Sequence, residues 1–279
     1  DAVRGGDQIF YGSSTLNATA GYAVGGGNQS FYGSSALNAS ASNAVNGGEQ
    51  RFENSSALNA AASNAVSGGV QVFVNSSTLD ASAADAVSGG SQYFLSSSAL
   101  DATTAGAVSG GYQYLYDTSA LNASVGEAVK GGEQHFLASS TLNASAAGAV
   151  SGGYQRFFEN SALNASATGA VNGGSQYFHG SSYLYVLAGD ALTSGADLHF
   201  NNAFGGVGGT LDLNGYSTVV GGLTSDAAGS GIVSNGGADN SVLTVDTSQI
   251  GASTFSGIIE DGGSGTLGLI KDGEGTFTL

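Results

Sequence analysis

Cysteine, proline, methionine and tryptophan are all absent from this chain of 279 residues. Without cysteine there is no disulfide, no thiolate metal ligand and no thiol nucleophile. That suits a chain that must stay unbridged while crossing a membrane. Positive charge is nearly missing as well: 5 Lys+Arg stand against 21 Asp+Glu, for a net −16 at pH 7. So acidic a surface excludes nucleic acid and anionic membrane surfaces as partners. The longest apolar run, around residues 183–187, falls far short of the ~20 residues a transmembrane helix requires, so no direct membrane insertion is expected. No basic-then-apolar export signal opens the chain, and such a signal is expected to have been removed or to lie outside this piece.

What is present is glycine (48) and a hydrophobic fraction of 41%, enough for a core. The abundance of Gly and Ser therefore does not imply disorder. The phrase Ala-Val-x-Gly-Gly-x-Gln-x-Phe-x-x-Ser-Ser-x-Leu-Asn-Ala-Ser-Ala recurs nine times up to Asp190 without an insertion or deletion. Val3, Val24 and Val45 open a column that continues to Val171, and Leu16, Leu37 and Leu58 open one that reaches Leu184. Gln8 to Gln176 and Phe10 to Phe178 form two more, with Leu115 replacing one Phe.

A fixed period of this length signals a solenoid. Within a unit the apolar residues alternate, as in short strands, and Gly-Gly and Ser-Ser mark corners. The reading is all-β: a right-handed parallel β-helix of 21-residue coils, each with about three sides. Val, Phe, Leu and Ala should stack inside. Interior glutamines one strand apart should bond along a ladder, because a buried amide needs partners. The expected division is 1–190, nine regular coils, and 191–279, less regular coils carrying short strands such as 241–246. The pattern is still running at Leu279, which reads as a piece of a longer protein.

Chemistry is sparse. Of the three histidines, His135, His179 and His199, the first two stand at varying positions of the repeat and read as solvated side chains, and no nucleophile or metal-ligand spacing surrounds any of them. Asp239, Asp246, Glu260, Asp261 and Asp272 lie in glycine-rich turns and read as turn residues rather than calcium ligands. No catalytic residue, metal or cofactor is assigned. The outer face is more informative. With Gln8 and Phe10 inward, the neighbouring positions point out, and they hold Tyr93, Tyr112, Tyr114, Tyr116, Tyr154, Phe158 and Tyr177. A clustered run of exposed aromatics is a candidate contact surface for sugar or protein. On the Leu-Asn-Ala strand, Thr19, Ser40, Ser82, Ser124, Ser145 and Ser166 should also face out.

The repeat phrase resembles the Gly-Gly-x-Gln-x-Val repeats of AIDA-type self-associating autotransporter adhesins. Thr210 to Tyr216 and Val219 to Leu223 resemble a common autotransporter passenger motif. Thr254 to Asp261 and Leu269 to Leu279 resemble the autotransporter-associated strand repeat. The present repeat differs in its length of 21 and in carrying Ser-Ser at the second corner. The resemblance implies an extracellular passenger on a Gram-negative surface, anchored by a C-terminal barrel beyond this piece. It implies self-association between cells, adhesion to host glycan or protein, and biofilm formation, and no enzymatic activity. It also implies a glycosyltransferase acting on the repeat hydroxyls named above. The alternative reading is an extracellular β-helix that binds or processes polysaccharide.

Overall fold

The computed structural model describes residue 3, residues 5–202 and residues 208–279. Among them there is no helix, and the strands pair in parallel. The chain is a parallel β-solenoid that forms two compact units, Asp1–His135 and Phe136–Leu279. The division between units falls inside the periodic stretch.

In the first unit each coil contributes a Gln–Phe strand, such as Asn28–Tyr32, and a Leu–Asn–Ala strand, such as Ala36–Ala39. The valine column supplies the third side through single bridges, Val24 to Val45 and Val87 to Val108. Register places like on like: Gln29 opposite Gln50, Phe31 opposite Phe52, Leu37 opposite Leu58. The inward Phe, Leu, Val and Ala side chains are almost all fully buried. Neighbouring rings from Phe31 to Phe94 stack 4.8 Å apart and within 7° of parallel. Identical residues in register make this possible, since each ring repeats its neighbour's rotamer one strand spacing away.

The glutamines are inside as expected. Gln50, Gln71, Gln92 and Gln113 are fully buried, and each Nε2 donates to Oε1 of the glutamine one coil before at 2.8–2.9 Å. The second amide hydrogen goes to the carbonyl of the first glycine of the same unit's corner, as in Gln92 to Gly89 at 3.0 Å. That bond accounts for the Gly-Gly-x-Gln spacing, because the corner's own carbonyl is the amide's second acceptor. The second glycine answers to sterics. Gly90 has φ +78°, and a Cβ there would lie 2.8 Å from the Gly69 carbonyl oxygen on the coil below.

At the other corner the second serine is structural. Ser35, Ser77 and Ser98 are buried, and each Oγ donates to the carbonyl three residues back at 2.7–2.8 Å. The corner before the valine needs a left-handed residue, filled by Asn43, Asn64, Asp85, Gly106 and Glu127 in successive coils.

The second unit continues the pattern and then loosens it. Phe136, Phe157, Phe178 and Phe200 stack in turn. Beyond Asp190 the coils lengthen, so that Gln176 lies opposite Leu198, Leu184 opposite Leu211, and Val233 opposite Ile259. A separate sheet forms from the strands Thr218–Val220, Ser241–Asp246 and Leu267–Asp272. The glutamine ladder ends where Leu198 takes the next position, and the buried Gln176 Oε1 has no partner.

Candidate binding face

The outward side of the Gln–Phe sheet is built by strand alternation alone. Gln92 and Phe94 point in, so Tyr93 points out, and in the next coil Tyr112 and Tyr114 point out on either side of the buried Gln113. In the first unit Tyr93, Tyr114 and Tyr116 are half-buried, and Tyr112 is 49% exposed. Tyr93 and Tyr114 stack at 5.0 Å and 9°, and Tyr114 stacks on His135 at 4.9 Å. His135 Nε2 lies 2.9 Å from Glu133 Oε1. Burial, with Tyr93 and Glu133 beside it, raises the Tyr114 pKa and keeps its hydroxyl protonated.

In the second unit Tyr154 is 52% exposed, Tyr177 stacks on His199 at 4.5 Å, and Phe158 stacks on His179 at 4.5 Å. Arg156 lies over the Tyr177 ring, 5.8 Å from its centre. Near-parallel rings one coil apart cover one another's faces. The column therefore shows solvent its ring edges and hydroxyls, at about the coil spacing. A sugar ring that packs on an aromatic face can do so only where a stack ends.

The second sheet carries the hydroxyl column. Thr19, Ser40, Ser82, Ser124, Ser145 and Ser166 are all exposed, each just past the end of a Leu–Asn–Ala strand. The neighbouring Asn column is an amide ladder on the surface: Asn38 donates to Asn17 at 2.8 Å and Asn59 to Asn38 at 2.7 Å. It is interrupted where Asp80 and Asp101 stand opposite each other in register. Neither can donate to the other, and Asp80 Oδ1 is left buried without a partner.

Sequence reasoning missed three features. All three histidines lie on aromatic stacks, and His179, read as a solvated side chain, is only 9% exposed. Tyr183 and Tyr185 form a stacked pair, 5.4 Å and 4°, on the Leu–Asn–Ala side, which the alternation of Tyr-Leu-Tyr-Val already signals. The orphaned Asp80 is the third. Of the carboxylates read as turn residues, Asp246 closes the strand Ser241–Asp246, and Glu260 and Asp261 lie within the strand Ile258–Gly262. Asp246 Oδ1 accepts from Ser248 N at 3.0 Å, and Asp261 Oδ1 from Leu267 N at 2.8 Å. Hydrogen bonds from Ser248 lower the Asp246 pKa. Among the described residues no three His, Cys, Asp or Glu side chains group so as to hold a metal ion. No protein-family model, no curated protein and no solved structure matches the chain.

Proposed function

We propose that this chain is an adhesive surface module that associates with further copies of itself, carried outside a Gram-negative cell as an autotransporter passenger. The observation that carries the reading is the comb of Tyr93, Tyr112, Tyr114 and Tyr116 on one outward strand face. Tyr93 and Tyr114 stand one coil apart, and Tyr112, Tyr114 and Tyr116 alternate along a single coil, so a second copy aligned alongside meets the same ring edges and hydroxyls in the same arrangement. Each contact is weak, and repetition multiplies it into avidity. Tyrosine suits such a role because it gives a rigid apolar body and a polar tip at little entropic cost. In the same reading cell–cell settling, host attachment and biofilm growth are uses of one surface, and the hydroxyl column from Thr19 to Ser166 accepts O-linked sugar in the native host. An intact mass equal to the bare polypeptide, on protein from that host, overturns the last point.

The test is display on cells that do not aggregate. The wild-type chain makes them settle. The variant Tyr93→Ser, Tyr112→Ser, Tyr114→Ser, Tyr116→Ser keeps its strand signature by circular dichroism and leaves them suspended. Settling unchanged in that folded variant refutes the reading.

A further inference from the structure

In the second unit the aromatic column ends in a step. His199 is the last ring of its stack, and the next residue in register is Thr224 rather than another aromatic. The drop in side-chain size opens a groove of about 220 Å³ along the rims of Tyr177 and His199, with Asn201, Thr224, Ser225 and Asp226 around it and the buried Phe200 at its floor.

The polar groups in the groove have defined directions. Thr224 Oγ1 lies 2.7 Å from His199 Nδ1 and 3.3 Å from the Leu198 carbonyl, and when its hydroxyl donates to that carbonyl its oxygen accepts from His199 Nδ1–H. In that tautomer Nε2 is a lone-pair acceptor facing the groove. Burial lowers the His199 pKa, so the ring is neutral at physiological pH. Ser225 Oγ already accepts from Ser256 N at 2.8 Å, which leaves its hydroxyl hydrogen to donate. Asp226 Oδ1 accepts from Ser230 Oγ at 2.7 Å and from Asn202 N at 3.3 Å, while Oδ2 takes no bond from the described residues.

The groove thus presents an imidazole nitrogen and a carboxylate oxygen as acceptors and a hydroxyl as donor beside aromatic rims. No lining side chain is cationic, and the chain is strongly acidic, so phosphate and carboxylate ligands are disfavoured. A ligand rich in O–H donors, uncharged and the size of one ring satisfies the set. We propose that this groove binds a single hexopyranose residue of a neutral polysaccharide. Its vicinal hydroxyls donate to Asp226 Oδ2 and His199 Nε2, and one ring oxygen or hydroxyl accepts from Ser225. The site stands apart from the self-association reading, which rests on tyrosines of the unit Asp1–His135.

The experiment uses the whole chain with ¹⁵N-labelled histidine, which gives three imidazoles to follow: His135, His179 and His199. Maltohexaose, cellohexaose and mannohexaose are titrated separately to about 20 mM, the weak end of specific binding. At least one shifts the His199 Nε2 resonance saturably and leaves His135 in place. Asp226→Asn keeps the Oδ1 acceptor used by Ser230 and replaces Oδ2 with a donor, and it weakens that binding about tenfold. The four-tyrosine serine variant binds as the wild type does, although it no longer self-associates. No His199 shift with any of the three sugars overturns the proposal. Binding unchanged in Asp226→Asn overturns it too, as does a preference for glucosamine over glucose, which marks the carboxylate as a cation site.

Discussion

If the glutamine column is one connected ladder, removing two adjacent rungs must do less harm than the two single removals added together. Replacing Gln92 with leucine removes its bonds to Gln71 Oε1 at 2.8 Å and to the Gly89 carbonyl at 3.0 Å, and the bond it accepts from Gln113 at 2.8 Å. The buried Gln71 Oε1 and the Gly89 carbonyl are left without this donor, and Gln113 keeps only its bond to Gly110 at 3.1 Å. Each buried group so stranded costs about 1–3 kcal/mol, and leucine returns about 1–2 kcal/mol through apolar burial. With three groups stranded, the net loss is about 1–8 kcal/mol. Gln71→Leu does the same one coil earlier, stranding Gln50 Oε1 and one amide hydrogen of Gln92.

In the double variant both groups stranded between the two rungs are gone, Gln71 Oε1 with one substitution and the Gln92 amide with the other. The double loss should therefore fall short of the sum by about 2–6 kcal/mol. Urea unfolding of the two single variants, the double and the wild type, followed by circular dichroism, closes the cycle. Both sites lie in the unit Asp1–His135, so the same transition reports all four. Additivity within about 0.5 kcal/mol refutes the ladder as a coupled network.

Three further outcomes follow from particular residues. Asp101→Asn supplies an amide to the orphaned Asp80 Oδ1 and removes an opposed like charge, so it should raise stability by about 1 kcal/mol; a lower urea midpoint contradicts this. Glu127→Gly relieves a left-handed residue (φ +58°) at a corner where the coil before has Gly106, with an expected gain of about 0.5–1 kcal/mol in thermal unfolding, and destabilisation is the contrary result. His199, its pKa lowered by burial, adds stability that is complete above its unfolded pKa of about 6.5 and is lost as pH falls through the lower folded value. Asp197, raised by burial, has the opposite sign, with a contribution that is complete below about 3.9 and lost as pH rises. Between pH 7.5 and 5 the urea midpoint of the unit Phe136–Leu279 should thus fall in the wild type and stay flatter in His199→Phe. Equal slopes contradict the assignment.

Much of the fold was legible because the register never slips for nine units. A constant period names the columns, and alternation within a strand names the side each column faces. That was enough to place Gln50 and Phe52 inside and Tyr93 and Tyr114 outside. Other features depend on quantities that periodicity does not carry. Which part of a tyrosine meets solvent depends on the rotamer that neighbouring rings share, so the covered ring faces emerged only with the stacks. The groove beside His199 depends on the size lost at Thr224 in a coil of changed length, where no repeat remains to count. The opposition of Asp80 and Asp101 was readable in principle, since both interrupt the Asn column in successive units.

Sedimentation velocity of the purified chain at rising concentration, in about 0.05 M and about 0.5 M salt, tests self-association through the tyrosine comb most directly. At net −16, like-charged copies repel each other, and salt that shortens the screening length from about 14 Å to about 4 Å removes that repulsion. The account predicts concentration-dependent oligomers that strengthen with salt in the wild type and vanish when Tyr93, Tyr112, Tyr114 and Tyr116 become serine. Oligomers that persist in the folded serine variant, or a wild type that stays monomeric in both salts, would contradict it.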